Sequence, residues 1–339
     1  VLLRGPNNPM LAAAWFAVMK AGGVCVPTTP LLRAKELTDA ITKAEITHAL
    51  CDKRLEKELK EAQIVCPTLK NIKYWYDEAP DSIDSLVLRQ PLWFTNVPTA
   101  ADDVALIAFT SGTTGRPKGT MHFHRDVIAM SDLFPRSCLG MHKDDVVCGT
   151  PPLAFTFGLG GMLCFPMRYG ASSVLIEKHT PESLLQTIER YRATVCFTTP
   201  IMYRQMAGLA ERFDLSSLSR CVSAGEALPD ATRRAFRDAT GIEIIDGIGS
   251  TEMIHIFISH TPERVRRGAT GYAIPGYRAA VLDEQLEPCK PGEVGRLAVK
   301  GPTGCRYLAD ERQKDYVQNG WNLTGDAYLV DKGGYFHYQ

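Results

Sequence analysis

Along the first two thirds of the chain, short runs of β-branched and apolar residues alternate with stretches whose apolar residues recur at helical spacing. That alternation limits the fold more than any other feature. Strands separated by helix-length crossovers pair in parallel, and such a sheet needs helices on both faces. Strands are expected at 1–4, 24–27 and 48–52, with helices at 10–21, 35–44 and 53–62. The same rhythm resumes at Asp145, placing strands near 146–148, 173–176, 194–197, 220–223 and 243–246. Leu184, Leu185, Ile188 and Tyr191, and then Met202, Met206 and Leu209, form apolar stripes that read as core-facing helix sides. After about Arg264 the texture changes to short alternating segments punctuated by Gly and Pro, the pattern of a small antiparallel sheet or barrel. The expected fold class is therefore α/β. Two βαβ-type layered subdomains with mostly parallel sheets, at 1–134 and 135–263, precede a small antiparallel β-barrel-like subdomain at 264–339.

With 339 residues, 45% of them hydrophobic, the chain can bury more than one sizeable core. Lysine plus arginine and aspartate plus glutamate number 38 each, so no overall field draws it to nucleic acid or to an anionic membrane. A small-molecule partner is expected instead. The nearest approach to a membrane span, at 10–25, is interrupted by Lys20 and glycines. The opening Val-Leu-Leu-Arg-Gly-Pro lacks the order of a leader and reads as a strand already in progress, so an earlier natural start is expected. Ten scattered cysteines without any Cys-x-x-Cys pair read as small buried thiols of a reducing cytoplasm rather than as metal ligands.

The chemistry concentrates where the apolar run 104–110 feeds Thr-Ser-Gly-Thr-Thr-Gly-Arg-Pro-Lys-Gly at 110–119. Glycines let backbone N–H groups approach an anion, hydroxyls add donors, and Lys118 adds a positive charge. Thr110, Ser111, Gly112, Thr113, Thr114, Gly115 and Lys118 thus read as a polyphosphate cradle. The Gly-Lys-[Ser/Thr] ending of the common P-loop is absent, and a plain turn seldom needs so many hydroxyls. Downstream come Ser-Ala-Gly-Glu-Ala-Leu-Pro at 223–229, Asp-Gly-Ile-Gly-Ser-Thr-Glu at 246–252, and Leu-Thr-Gly-Asp at 323–326 followed by Asp-Lys-Gly-Gly-Tyr-Phe at 331–336. Alone, each reads as a turn.

Taken in this order, the segments resemble the motifs of the adenylate-forming, AMP-binding superfamily of acyl-CoA synthetases, peptide-synthetase adenylation domains and luciferases. The resemblance implies that the backbone at Gly225, Glu226 and Ala227 lies against adenine, and that Asp246, Gly247, Ile248 and Gly249 continue the ATP site. It gives Thr251 a contact to the α-phosphate, Glu252 the coordination of Mg²⁺, and Asp326 the ribose hydroxyls. A carboxylate beside a polyphosphate is a natural hard-oxygen ligand for Mg²⁺. Many relatives carry an aromatic residue where this chain has Ile248, so stacking on adenine is expected to be weaker or supplied elsewhere. The resemblance spans the chain and implies a truncated large N-terminal domain. The mobile C-terminal lid domain, with its adenylation lysine and CoA surface, is expected to lie outside it, leaving the pockets with little turnover.

Gly-Ile-Gly-Ser-Thr-Glu-Met-Ile-His-Ile-Phe at 247–257 looks like the benzoate and 2-aminobenzoate CoA ligase branch, which places Thr156, Phe157, Gly249, His255 and Ile256 around an aromatic ring. Phe157 and Ile256 would make a flat apolar slot. A helix begun at Thr251 would put His255 on the side of Glu252, to hydrogen-bond a ring substituent or orient the carboxylate. Thr156 replaces the alanine associated with benzoate enzymes and suits an amino or hydroxyl substituent; amino-acid-activating relatives carry aspartate there. The implied reaction joins a small aromatic carboxylic acid to ATP, releasing pyrophosphate, and passes the acyl group to coenzyme A, with Lys118, Thr251 and Glu252 as the catalytic set. The alternatives are a non-catalytic nucleotide or acyl-adenylate binding module, and an adenylation domain within a larger synthase.

Overall fold

Four short strands, Leu2–Arg4, Val26–Thr28, His48–Asp52 and Asn71–Trp75, pair in parallel with Leu2–Arg4 between the second and third. The crossovers are the helices Pro9–Lys20, Ala34–Lys43 and Glu56–Val65. Asn8 starts the first, its side chain accepting from the Leu11 N–H at 2.9 Å, while Pro9 occupies a first-turn position where no N–H is needed. The charged run 53–61 opens as a 3₁₀ turn, Lys53–Leu55, because Asp52 captures the Arg54 N–H; the following helix buries only Leu59 and Ala62. Leu2, Leu37, Ile41 and Leu59 close the core.

This computed structural model describes residues 1–110 and 117–339, which form two compact units. The first unit comprises Val1–Arg125, Pro152–Phe155 and Arg306–Asp310. Within it, Val104–Thr110 and Lys118–Phe123 pair antiparallel with Thr110 opposite Lys118. Arg306–Asp310 joins the same edge: Met121 N–H donates to Arg306 C=O and Leu308 N–H to Gly119 C=O, both at 2.8 Å.

The second unit holds a seven-stranded sheet in the order Tyr272–Ala273, Ile256–Ser259, Ile244–Gly249, Arg220–Ser223, Val195–Thr198, Val146–Gly149, Ser172–Val174. Its pairings are parallel except the first two, which are antiparallel, so only Ile256–Ser259 runs against the rest. Helices Pro181–Tyr191, Pro200–Ala207 and Asp230–Thr240 bury Leu184, Leu185, Ile188, Tyr203, Met206 and Phe236 against it. Tyr191, expected in that stripe, is exposed, since the helix ends there with Arg192 left-handed. An antiparallel sheet of Arg278–Leu282, Val294–Lys300, Trp321–Val330, Val317–Gln318 and Phe336–Tyr338 completes the unit. The mixed α/β class with a small antiparallel sheet is therefore the expected one.

The helix expected from Thr251 is not formed. Residues 250–255 make a turn, with Ile254 at φ 67°, and the chain re-enters the sheet as Ile256–Ser259 beside Ile244–Gly249. The β-branched Ile-Phe-Ile run favours a strand, and two glycines admit it. A Cβ at Gly249 would lie 2.6 Å from the His255 carbonyl oxygen, and one at Gly247 would lie 2.9 Å from Ile256 Cδ1. Nine of the cysteines are buried, Cys289 being partly exposed, and burial raises the Cys25 and Cys51 thiols to about 12. Among the described residues no helix is long and apolar enough to cross a membrane.

Candidate functional site

Parallel pairing of Arg220–Ser223 with Ile244–Gly249 sets Ser223 opposite Asp246, so the turn after one strand and the C-terminal half of the next lie side by side. Ligands of open α/β sheets gather at such strand ends. A cavity of about 190 Å³ opens there, walled by Gly225–Ala227, Asp246–Gly249 and, from the antiparallel sheet, Asp326. Gly225 holds φ +90° with open space where a side chain would be, so at that position only backbone faces the cavity.

Asp246 is buried and tied down on every side. Its Oδ1 accepts the Gly247 N–H at 3.0 Å, its own N–H donates to His260 Nε2 at 3.1 Å, and Ser259 Oγ donates to its carbonyl at 2.6 Å. His260 therefore carries its proton on Nδ1, which donates to Thr261 C=O at 2.9 Å; burial pushes this ring down to about 4. Burial lifts the Asp246 carboxyl to about 7, against the pull of Arg233, whose Nη2 stands 4.0 Å from Oδ2.

Asp326 is half-buried in Trp321–Val330, its N–H donating to Thr324 Oγ1 at 3.2 Å. Burial, reinforced by the nearby charge of Glu252, raises its carboxyl above the ordinary range. The same two carboxylates act on Tyr316, whose hydroxyl is pushed up chiefly by burial. Glu252 and Thr251, both half-buried, sit in the turn that replaces the expected helix. Asp326 thus lies within electrostatic reach of a second carboxylate, and such a place suits a divalent cation. No cluster of three or more potential metal ligands occurs among the described residues, so such an ion would take most of its oxygens from phosphate and water.

His255 lies elsewhere in this unit, boxed by Phe134, Phe157 and Phe165 with ring centroids at 5.5, 5.7 and 4.6 Å. Gly160 makes room for it, since a Cβ there would stand 2.5 Å from His255 Cδ2. Burial drives the ring down to about 3, so it is neutral; the Phe157 backbone pulls slightly the other way without making a well-aligned hydrogen bond. Neither ring nitrogen has a hydrogen-bond partner among the described residues. Thr156 is buried at the start of the short helix Thr156–Leu159, and Phe157 next to it also meets Phe197 at 5.8 Å. Gly249 pairs with Ile256, whose side chain packs on Gly247.

In the first unit, Lys118 begins the strand Lys118–Phe123, and its Nζ donates to the Tyr307 hydroxyl at 3.3 Å. Thr110 and Pro117 line a second cavity, of about 360 Å³, together with Thr28, Thr29 and Phe155. Ser111, Gly112, Thr113, Thr114 and Gly115 lie outside the described residues. Sequence reasoning missed Thr270, Tyr328 and Tyr338, which also line the first cavity. Thr270 reaches it through non-local backbone bonds between 270–271 and Phe336, a pairing that carries no local signature. It missed Phe165 as well, because an unbroken apolar run reads only as core.

The chain spans 63% of the length of the benzoate–CoA ligase of Thauera aromatica, to which it is 32% identical over 330 residues, 96% of its own length. It is 30% identical over 346 residues to the anthranilate–CoA ligase of Pseudomonas aeruginosa, covering all of this chain and 66% of that one. A crystal structure of an anthranilate CoA ligase in complex with anthranoyl-AMP superposes with a TM-score of 0.95 at 31% identity, over 99% of this chain and 67% of that one. The profile of the AMP-binding enzyme family matches residues 1–307. With nine tenths of its length under that profile and a fold shared throughout, the chain belongs to the AMP-binding enzyme family.

Proposed function

We propose that this chain is the nucleotide- and acid-binding body of an AMP-forming ligase that activates an aromatic carboxylic acid, of benzoate or 2-aminobenzoate type, first to the acyl-adenylate and then to the CoA thioester. One observation carries the aromatic assignment: a neutral imidazole, buried among phenylalanine rings, with both nitrogens lacking partners among the described residues. Burying such atoms unsatisfied costs about 1–3 kcal/mol, a cost a ligand's amino, hydroxyl or carboxylate group would relieve. The named aromatic-acid ligases among its relatives support the same reading.

In this reading the acid's carboxylate oxygen attacks the α-phosphorus of ATP and pyrophosphate leaves; the thiolate of CoA then attacks the acyl carbonyl and AMP leaves. No protein nucleophile is needed. Gly225, Glu226 and Ala227 present backbone to the adenine, with Asp246, Gly247, Ile248 and Gly249 along its other edge. Asp326 accepts from the ribose hydroxyls, its raised proton affinity falling as those donors arrive. Thr251 donates to the α-phosphate, and Lys118, with Thr110 to Gly115, holds the departing phosphates by charge and hydrogen bonds. Glu252 would hold Mg²⁺, which neutralises phosphate charge when bound. Thr156, Phe157, Gly249, His255 and Ile256 surround the aromatic ring.

ATP–pyrophosphate exchange on the natural protein tests this, with benzoate, 2-aminobenzoate, acetate and a medium-chain fatty acid as competing acids. Exchange with the aromatic acids is expected; exchange with the aliphatic acids alone would remove the aromatic assignment. Loss of Asp326 by Asp326→Ala should raise KM for ATP about 10- to 100-fold, the worth of hydrogen bonds to a charged acceptor.

A further inference from the structure

Lys118 is separated from Tyr307 by 189 positions, yet the fold brings the two side chains together in the first unit. The chain returns at Arg306–Asp310 to add a third backbone segment beside Lys118–Phe123, with Thr120 bridged to Tyr307 antiparallel. Hydrogen bonds on either side of that bridge, Met121 to Arg306 and Leu308 to Gly119, fix its register. Tyr307 is thereby buried to 5% exposure with its ring under the lysine: Nζ lies 5.1 Å from the ring centroid and 3.3 Å from the hydroxyl oxygen. Lys43 adds a further tie, its Nζ donating to Ala309 C=O at 2.7 Å.

A lysine ammonium on four rotatable bonds gives up much rotamer freedom when it grips an anion. Here that freedom is already restricted, by an aromatic face that attracts the cation and by a hydroxyl that takes one of its three N–H donors. Among the described residues nothing else takes the other two, which suit phosphate oxygens. Because the hydroxyl contact is long, an arriving phosphate competes with it easily. We infer that Tyr307 is a positioning residue, delivered by the returning Arg306–Asp310 segment to hold Lys118 ready for the phosphates of ATP. This rests on the reading of 110–119 as the phosphate-binding segment.

The test is a double-mutant cycle in ATP–pyrophosphate exchange on the natural protein, using Lys118→Met, Tyr307→Phe and Tyr307→Leu, alone and combined. Lys118→Met is expected to raise KM for ATP and pyrophosphate about tenfold or more, as loss of a charge-assisted contact does. Tyr307→Leu should raise the same KM values about 3- to 10-fold with kcat changed far less, the cost of re-ordering one long side chain. Tyr307→Phe, which keeps the ring, should restore most of that loss. With Lys118→Met already present, neither Tyr307 variant should have a further effect on KM. An unchanged KM in both Tyr307 variants, or equal losses with and without Lys118, would overturn the positioning role while leaving the phosphate reading intact. Unchanged KM in Lys118→Met would instead overturn the phosphate reading, and the positioning role with it. Should Tyr307→Leu fail to fold, as its melting curve would reveal, Tyr307→Met, which also lacks the ring and the hydroxyl, takes its place in the same comparison.

Discussion

Asp246→Asn should stabilise the ligand-free protein at alkaline pH and not at acid pH. The Asp246 carboxyl stands at about 7 in the fold against an ordinary 3.8, chiefly because burial penalises its charged form. Below 3.8 both folded and unfolded chains carry the proton and the site costs nothing extra. Between 3.8 and 7 only the folded chain holds the proton, so stability falls as pH rises through that window and levels off above it. From pH 5 to pH 8 the window crossed is about two pH units, worth about 2–3 kcal/mol at 1.36 kcal/mol each. Asparagine keeps an oxygen for the Gly247 N–H and carries no charge, so it escapes this loss. His260, Arg233 and Glu243 face the site in both proteins, and their contributions cancel in the comparison. Thermal melts of the two proteins at pH 5 and pH 8 measure the difference directly. The variant's melting temperature should gain on the wild type by about 5–10 °C between those pH values, at about 2–4 °C per kcal/mol for a unit of this size. A gap independent of pH, or one that widens toward acid, would refute the argument that burial dominates over Arg233.

Gly160→Ala places a methyl group 2.5 Å from His255 and 2.9 Å from Phe165 Cζ, both fully enclosed; it should cost about 1–3 kcal/mol in thermal unfolding and weaken binding of the acid while sparing ATP, as paired titrations would show. His255→Phe keeps an aromatic ring and removes two unsatisfied nitrogens, so the ligand-free protein should gain about 1 kcal/mol while its preference for 2-aminobenzoate over benzoate is lost. A stability loss would show that a partner for His255 exists in the free protein. Arg220→Ala strands Asp145, a fully buried carboxylate that also accepts from Thr194 Oγ1 and His142 N–H, and should cost about 3 kcal/mol at pH 7 by urea unfolding. Burial alone would raise Asp145, yet those donors and Arg220 hold it below its ordinary value, so the stability it confers is present at neutral pH and is lost on acidification; the variant should lose less on going to pH 3.

The strand and helix rhythm was legible because it is local: cap residues such as Asn8 and Pro9 and β-branched runs such as 195–198 act within a few positions. The strand end at the candidate site was legible through its glycines, Gly247 and Gly249, which admit the strand that follows. What failed was the segment after them. Apolar residues at 253, 254, 256 and 257 fit a helix as well as a strand, and only the antiparallel partner decided between them. As a result His255 lies in a phenylalanine box rather than one helical turn above Glu252. Tyr307, Thr270 and Tyr338 were invisible for a different reason: each reaches its place through backbone pairing between distant segments, which leaves no trace in spacing.

The central claim is that an aromatic carboxylate attacks the α-phosphorus of ATP, and isotope transfer tests it most directly. Benzoate or 2-aminobenzoate labelled with heavy oxygen in the carboxylate, incubated with ATP, CoA and the natural protein, should yield AMP carrying one heavy oxygen, because the attacking atom stays on phosphorus when the thiol takes the acyl group. Unlabelled AMP, or ADP as the nucleotide product, would contradict the account.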